Sequence, residues 1–365
     1  MSGTDHPEAA WLLALLTLPR IGPSRLAALL DGRSPQAAWD VLVNGGDVVI
    51  DGVTGDQVRT WRAAARSTSV DQHWAATKEL GMWLRQHGTD GYPERLSEDI
   101  EPPQLLFGLG REIGRQPTVG IIGTRNCTSY GKRCAFEFGA ALAAAGVSVV
   151  SGLALGIDAA AHQGVLSVRD VDRAPPIGVV GSGLDIVYPK RNTSLWNEVI
   201  AHGTVVSETA PGVGPMKWRF PARNRIIAGL SDAVIVTESH ESGGSLSTVD
   251  AAQERDKPVG VVPGPITSNS SIGTNRLLAE GATPILGVED ILCLIGHSAP
   301  LEVADATDVD ATASTILDAL GWNPLLFDEL CSRVALSPSA SAVEVERLIG
   351  LGLCRRSGPW IERVR

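Results

Sequence analysis

Six short runs of apolar, largely β-branched residues recur between residues 117 and 290, each followed by a stretch with helical spacing. They are Thr118 to Ile122, Val147 to Val150, Ile177 to Val180, Thr204 to Val206, Ala233 to Val236 and Val259 to Val262. Being nearly continuous rather than alternating, such runs suit strands covered by helices on both faces. Their alternation with helical segments predicts βαβ units and a mostly parallel sheet. The chain's 40 glycines cluster just after the runs, where tight strand-to-helix turns need them. The expected fold is α/β, with a Rossmann-like, mostly parallel sheet core over residues 81–297.

The flanks read differently. Residues 1–80 carry apolar positions at helical spacing in Trp11 to Leu18, Leu26 to Leu30 and Ala37 to Val43, which predicts a small helical domain, SAM- or helix-hairpin-helix-like. Within it, Leu18-Pro19-Arg20-Ile21-Gly22-Pro23-Ser24 joins two helices. Such a turn resembles the hairpin of helix-hairpin-helix modules, whose amides can hold a backbone phosphate, yet Pro23 and Ser24 replace the usual second glycine, and an ordinary helix-turn-helix packing unit is the better reading. Residues 298–312 form an acidic linker with Glu302, Asp305, Asp308 and Asp310 and no Lys or Arg. Residues 313–365 predict three helices and a hairpin around Ser357-Gly358-Pro359, a winged-helix-like domain. Glu344 and Glu346 against Arg347 suit its third helix poorly to a DNA groove.

A length of 365 residues allows two to three domains with a sizeable core. The net charge of −10 rules out a global basic field, so any polyanion site is local. Five scattered cysteines without CxxC or zinc spacing read as reduced thiols. Phe138 to Ile157 is 20 residues without a charge, but its alanines and glycines contribute little transfer energy. A helix followed by a buried strand explains it better than a membrane span. Asp5 and Glu8 stand where a signal peptide carries basic residues. A cytoplasmic protein without membrane association is expected.

Ligands of open parallel sheets bind outside the carboxyl ends of the strands. Gly123-Thr124-Arg125 follows the first run: glycine admits a phosphate close to the backbone, Thr124 offers a hydroxyl and Arg125 a fork of donors. The GxxxxGK[ST] and GxGxxG spacings are absent, so neither ATP nor NAD is implied, and no cofactor is expected. Ser151-Gly152 ends the second run and leads to Asp158 and His162, four apart on one helix face. An acid-base pair or metal half-site is conceivable there. With no third ligand nearby, a local hydrogen bond fixing the loop is the better reading, and no metal is expected. No GxSxG or HExxH occurs, so no catalytic residue is assigned.

The strongest local signal is Pro215-Met216-Lys217-Trp218-Arg219-Phe220-Pro221-Ala222-Arg223-Asn224-Arg225-Ile226. Residues 190–225 hold six basic side chains against two acidic, whereas 226–290 hold three against nine. Interleaving Lys217, Arg219, Arg223 and Arg225 with Trp218 and Phe220 supplies both ion pairing and stacking, the chemistry of single-stranded nucleic acid. The other reading is that the arginines pair with the acidic downstream segment and the aromatics are core. Composition leaves both open.

Ordered motifs then bring in a resemblance. They are Tyr92-Pro93, Leu105-Leu106-Phe107-Gly108, Gly123-Thr124-Arg125, Ser151-Gly152-Leu153-Ala154-Leu155-Gly156-Ile157-Asp158, Gly181-Ser182-Gly183-Leu184-Asp185 and Tyr188-Pro189. Ser207-Glu208, Phe220-Pro221-Ala222-Arg223-Asn224-Arg225-Ile226, Ser242-Gly243-Gly244-Ser245, Pro263-Gly264 and Gly273-Thr274-Asn275 follow. Over residues 80 to 290 the chain resembles the DprA (Smf) family of bacterial recombination mediators. The resemblance implies a non-enzymatic homodimer that binds single-stranded DNA and loads the RecA recombinase, in DNA processing and natural transformation. It places DNA contacts at Arg125, Lys217 and Phe220.

The expected site is a phosphate-tracking groove. Gly123, Thr124, Ser151, Gly152, Ser242, Gly243 and Gly244 would offer amides or hydroxyls; Arg125, Lys217, Arg223 and Arg225 charge; Phe220 a stacking face. Asn224 and Asn275 complete the candidate set. One rival is a phosphoribohydrolase of the LOG or lysine-decarboxylase-like type, whose PGGxGTxxE motif is departed from at Leu246 and Asp250. The other is a nucleotide-sensing module using the same loops.

Overall fold

The computed structural model describes residues 6–169, 173–297, 310–321, 324–351 and 353–363. The chain divides into two compact units, Met1–Ala299 and Pro300–Arg365. The first is built on a nine-stranded sheet in the order β1-β2-β6-β5-β4-β3-β7-β8-β9. Its strands are β1 (Trp83–Gln86), β2 (Leu105–Gly110), β3 (Thr118–Ile122), β4 (Ser148–Ser151), β5 (Ile177–Val179), β6 (Thr204–Ser207), β7 (Ala233–Val236), β8 (Val259–Val261) and β9 (Thr283–Pro284). All six expected strands are present, and from β6 to β9 every pairing is parallel. The half-buried β1 and the apolar β2 add an antiparallel edge beyond β6. Apolar spacing between residues 81 and 117 is too short to signal these strands; partners distant in sequence make them.

Strands β3 to β7 are buried along their whole length, because helices cover both faces. One face packs Ile122, Val150, Val179, Val206 and Val236 against the helices Arg219–Leu230 and Leu246–Gln253. The other sets Phe107, Leu153 and Val205 against Trp196 of the helix Thr193–His202 and Leu12 and Leu13 of the helix Glu8–Leu16. The N-terminal helices have a further core of Leu15, Leu18, Leu26, Trp39 and Trp61, and through Leu12 and Leu13 they pack onto the sheet. The chain runs outward from β3 to β6, then returns so that β7 lies beside β3. That reversal opens a crevice at the carboxyl ends of β3 and β7.

The second unit has helices Ala311–Leu320, Phe327–Arg333 and Pro338–Gly350. Strands β10 (Leu325–Leu326), β11 (Cys354–Ser357) and β12 (Trp360–Arg363) form a three-stranded antiparallel sheet in the order β10-β12-β11. On its third helix Arg347 pairs with Glu344 and Asp310, which turns that cation inward to its own carboxylates. Most of the acidic linker expected at 298–312 lies outside the described residues. Among the described residues no helix is long and apolar enough to cross a membrane.

Candidate nucleic-acid interface

A cleft of about 500 Å3 opens at the β3/β7 reversal. It gathers Gly123, Thr124 and Arg125 from the loop after β3, Lys217, Phe220, Arg223 and Asn224 from the start of the helix Arg219–Leu230, and Gly243 and Gly244 from the loop after β7. Arg125 and Lys217 are exposed and Phe220 is half-buried. The Arg125 guanidinium carbon lies 5.1 Å from the Phe220 ring centroid, a cation–π contact that leaves the guanidinium in water. Behind Phe220 stands Tyr188, ring centroids 5.7 Å apart.

Three of the main-chain amides expected to cradle phosphates, those of Thr124, Gly152 and Gly243, are spent inside the protein. Thr124 N donates to the Glu238 carbonyl at 2.8 Å, Gly152 N to the Asp158 carboxylate at 3.1 Å and Gly243 N to the His240 carbonyl at 3.1 Å. The Thr124 hydroxyl accepts from Asn126 N at 3.2 Å. The helix Ser129–Ala144 also has its first turn filled: Thr128 caps it, and the Glu238 carboxylate accepts from Thr128 N at 2.8 Å and Thr128 Oγ1 at 2.5 Å. The glycines serve close packing instead. A Cβ on Gly123 would lie 2.6 Å from Ile157 Cγ1 and 2.7 Å from the Glu238 carbonyl, and one on Gly152 would overlap the Arg223 guanidinium.

Arg223 is buried and donates to the Val179 carbonyl. Burial, only partly offset by the nearby Asp158, brings its pKa down to about 10, so it stays cationic at neutral pH. Burial also raises the Asp158 pKa, against which Arg223 and the amides of Ala154 and Gly152 work. Asp158 thus fixes the loop after β4, as the local-bond reading expects. His162 is fully buried on the same helix, and burial takes its imidazole from 6.5 down to about 4. A depressed histidine stabilises the fold above its unfolded pKa. That contribution, about 3 kcal/mol, is lost as pH falls from about 6.5 through 4. Glu208 works in the opposite sense, because burial raises its pKa from 4.5 to about 6. Chemical denaturation of the wild type and His162→Gln from pH 7 to 4 separates the two: the difference between the curves carries the histidine slope, and parallel curves would remove it.

Five candidates lie outside the cleft, among them Gly152, packed against the Arg223 guanidinium. Ser151 is buried and its hydroxyl donates to the Ile121 carbonyl at 2.6 Å. Arg225 faces the helical segment, paired with Glu208 and, at 3.2 Å, with Glu101. Asn275 bridges both the amide and the carbonyl of Gly264, at 3.2 and 3.0 Å. Ser242 is exposed beside the cleft without lining it. Asn224, though at the wall, donates to the Gly244 carbonyl and, at 2.8 Å, to Ser247, so it positions the loop after β7. Two residues absent from the candidate set matter: Glu238, which ties the loops after β3 and β7, and Tyr188, which backs Phe220. A carboxylate ending the strand next to β3 is a signal only once strand order is known. Tyr188 was visible as a motif without a role. Among the described residues no group of three His, Cys, Asp or Glu could hold a metal ion.

Residues 83–296 match the DNA recombination-mediator protein A family. The chain belongs to that family. Relatives of the recombination-mediator group include the DNA processing protein DprA of Bacillus subtilis, 35% identical over 252 residues, covering 67% of this chain and 82% of that one. Among solved structures, DprA of Streptococcus pneumoniae superposes with a TM-score of 0.65 at 29% identity, over 79% of this chain and 98% of that one. DprA of Helicobacter pylori, described by its single-stranded DNA binding mode, gives 0.52 at 32% identity, over 58% of this chain and 94% of that one.

Proposed function

We propose that the cleft binds single-stranded DNA, and that the protein mediates recombination by presenting that strand to the RecA recombinase in the cytoplasm, without catalysing a reaction. The observation that carries this reading is the convergence of Arg125, Lys217 and the Phe220 ring in one open cleft of an otherwise acidic chain. Unpaired bases expose faces to a ring and phosphates to the cations, which duplex cannot do together. The H. pylori relative's binding mode supports the same ligand. With two to three phosphates neutralised by Arg125, Lys217 and Arg223, log K for oligo-dT should fall with log salt at a slope of about −1.4 to −2. Fluorescence anisotropy measures it, and a flat salt response or equal affinity for duplex would overturn the reading. Base release from a nucleoside monophosphate would favour the phosphoribohydrolase alternative instead.

The reading includes a homodimer. Its support is a pair of exposed apolar side chains, Ile266 at 91% and Leu286 at 81% exposure, which follow the neighbouring strands β8 and β9 at the sheet's edge. Such a pair in water is better covered by a second copy. Ile266→Glu plus Leu286→Glu should shift sedimentation at micromolar concentration from dimer to monomer; an unmoved profile places the contact elsewhere.

A further inference from the structure

A second cleft, of about 660 Å3, lies on the other flank of the segment that carries Lys217. Lys217, Phe220, Pro221 and Asn224 face the first cleft, whereas Trp218 and Ala222 face the second. Only the first turn of the helix Arg219–Leu230 separates them, a ridge of about 10 Å. The far wall is the turn between the helices Glu8–Leu16 and Pro23–Leu30, which contributes Arg20, with the first turn of the second helix, which contributes Arg25. No acidic residue lines this cleft. Neither guanidinium has a carboxylate partner among the described residues; Arg25 donates to the Arg20 carbonyl. Glu101, which accepts from the Ser24 hydroxyl at 3.4 Å beside this cleft, is engaged by Arg225 at 3.2 Å.

The turn is held rigidly. The Pro19 carbonyl accepts from Gln57 Nε2 and Trp61 Nε1, both at 2.8 Å, and the Arg20 carbonyl accepts from Arg25 Nη1 at 3.0 Å. These bonds keep Arg20 at φ +59°, a conformation that costs a non-glycine residue about 1 kcal/mol or more. Gly22 abuts the Trp218 indole, whose ring carbons stand 3.4 and 3.8 Å from where a Cβ would sit. The turn and the basic segment therefore form one continuous surface.

We infer that this second cleft is an accessory polynucleotide site: a strand leaving the first cleft crosses the Trp218 ridge and sets its next phosphates against Arg20 and Arg25. The inference rests on the single-strand reading of the first cleft and extends it by two phosphates. The Arg219 guanidinium covers one side of the indole, 4.5 Å from its centroid, so Trp218 serves as an apolar wall for the crossing strand.

The test compares a short oligo-dT of about six nucleotides with one of about sixteen, across the usual range of single-strand site sizes. The variant is Arg20→Gly plus Arg25→Gln in the full chain; glycine accepts the positive φ and glutamine keeps a donor for the Arg20 carbonyl, so the turn is preserved. The short oligomer should bind it as it binds wild type. The long one should bind roughly five- to tenfold more weakly, with a salt slope shallower by about 1.4, at 0.7 per phosphate. Arg20→Lys plus Arg25→Lys should restore the slope. Equal loss at both lengths would mean the turn supports the first cleft structurally, and no loss at either would mean the strand does not cross; both overturn the accessory site while leaving the first cleft standing. Failure of wild type to bind either oligomer removes both readings.

Discussion

Changing Arg125 and Lys217 together to alanine is expected to weaken oligo-dT binding about a hundredfold. Charge-assisted hydrogen bonds contribute about 1.5 to 3 kcal/mol each, so losing two costs about 3 kcal/mol, or two decades in affinity. The salt slope should also become shallower by about 1.4. Both side chains are exposed and neither supports the core, so the melting temperature should hold. That separation distinguishes lost contacts from lost structure. Phe220→Ala is expected to be nearly as severe as either single change, because it removes a stacking face and also the ring that places the Arg125 guanidinium. Titrations by anisotropy at two salt concentrations, beside a thermal melt, suffice. Wild-type affinity in the double variant would show that the strand follows another surface.

The second large effect concerns the frame. The helices Ser129–Ala144 and Ile157–Ser167 cross where Gly139 faces the Ala161 backbone and Gly164 faces the Phe136 backbone. A Cβ at either position would overlap a main-chain carbonyl, which cannot swing aside as a side chain would. The helices must then separate, and their first turns anchor the loop carrying Arg125 and hold Asp158 in place. Gly139→Ala or Gly164→Ala is expected to cost about 3 kcal/mol, the upper end for overpacking. The sheet unit should melt roughly 5 °C lower. Gly244→Ala is the control: nothing lies within 4 Å of its Cβ position, so stability should stay within about 0.5 kcal/mol of wild type. Calorimetry that finds all three alike would refute the close crossing.

Local pattern went far with this chain. The apolar runs of β3 to β8 announced themselves because burial on both faces leaves no polar positions to interrupt them. The turns after them were legible from glycine, and Gly123 to Arg125 duly reach the crevice. The same logic missed β1 and β2, whose pairing depends on β6, some hundred residues distant. It also overcounted the open amides. A glycine-rich loop at a strand end suggests open N–H groups; here Glu238 and Asp158 occupy several of them.

The segment from Lys217 to Arg225 shows where the division falls. Its composition alone determined that cations and rings are concentrated in one stretch of an acidic protein. Which of them meet solvent was decided by the helix, which turns successive residues by about 100°, and by the sheet order that sets different neighbours on each flank. Lys217 and Phe220 were turned to the crevice beside Arg125, Arg225 to Glu208 and Glu101, and Trp218 to the turn holding Arg20. Charge content is a property of the chain, but pairing requires groups as far as 124 residues apart, as Arg225 and Glu101 are, to come within a few ångströms, and only the assembled β3/β7 reversal and the packed N-terminal helices bring them there.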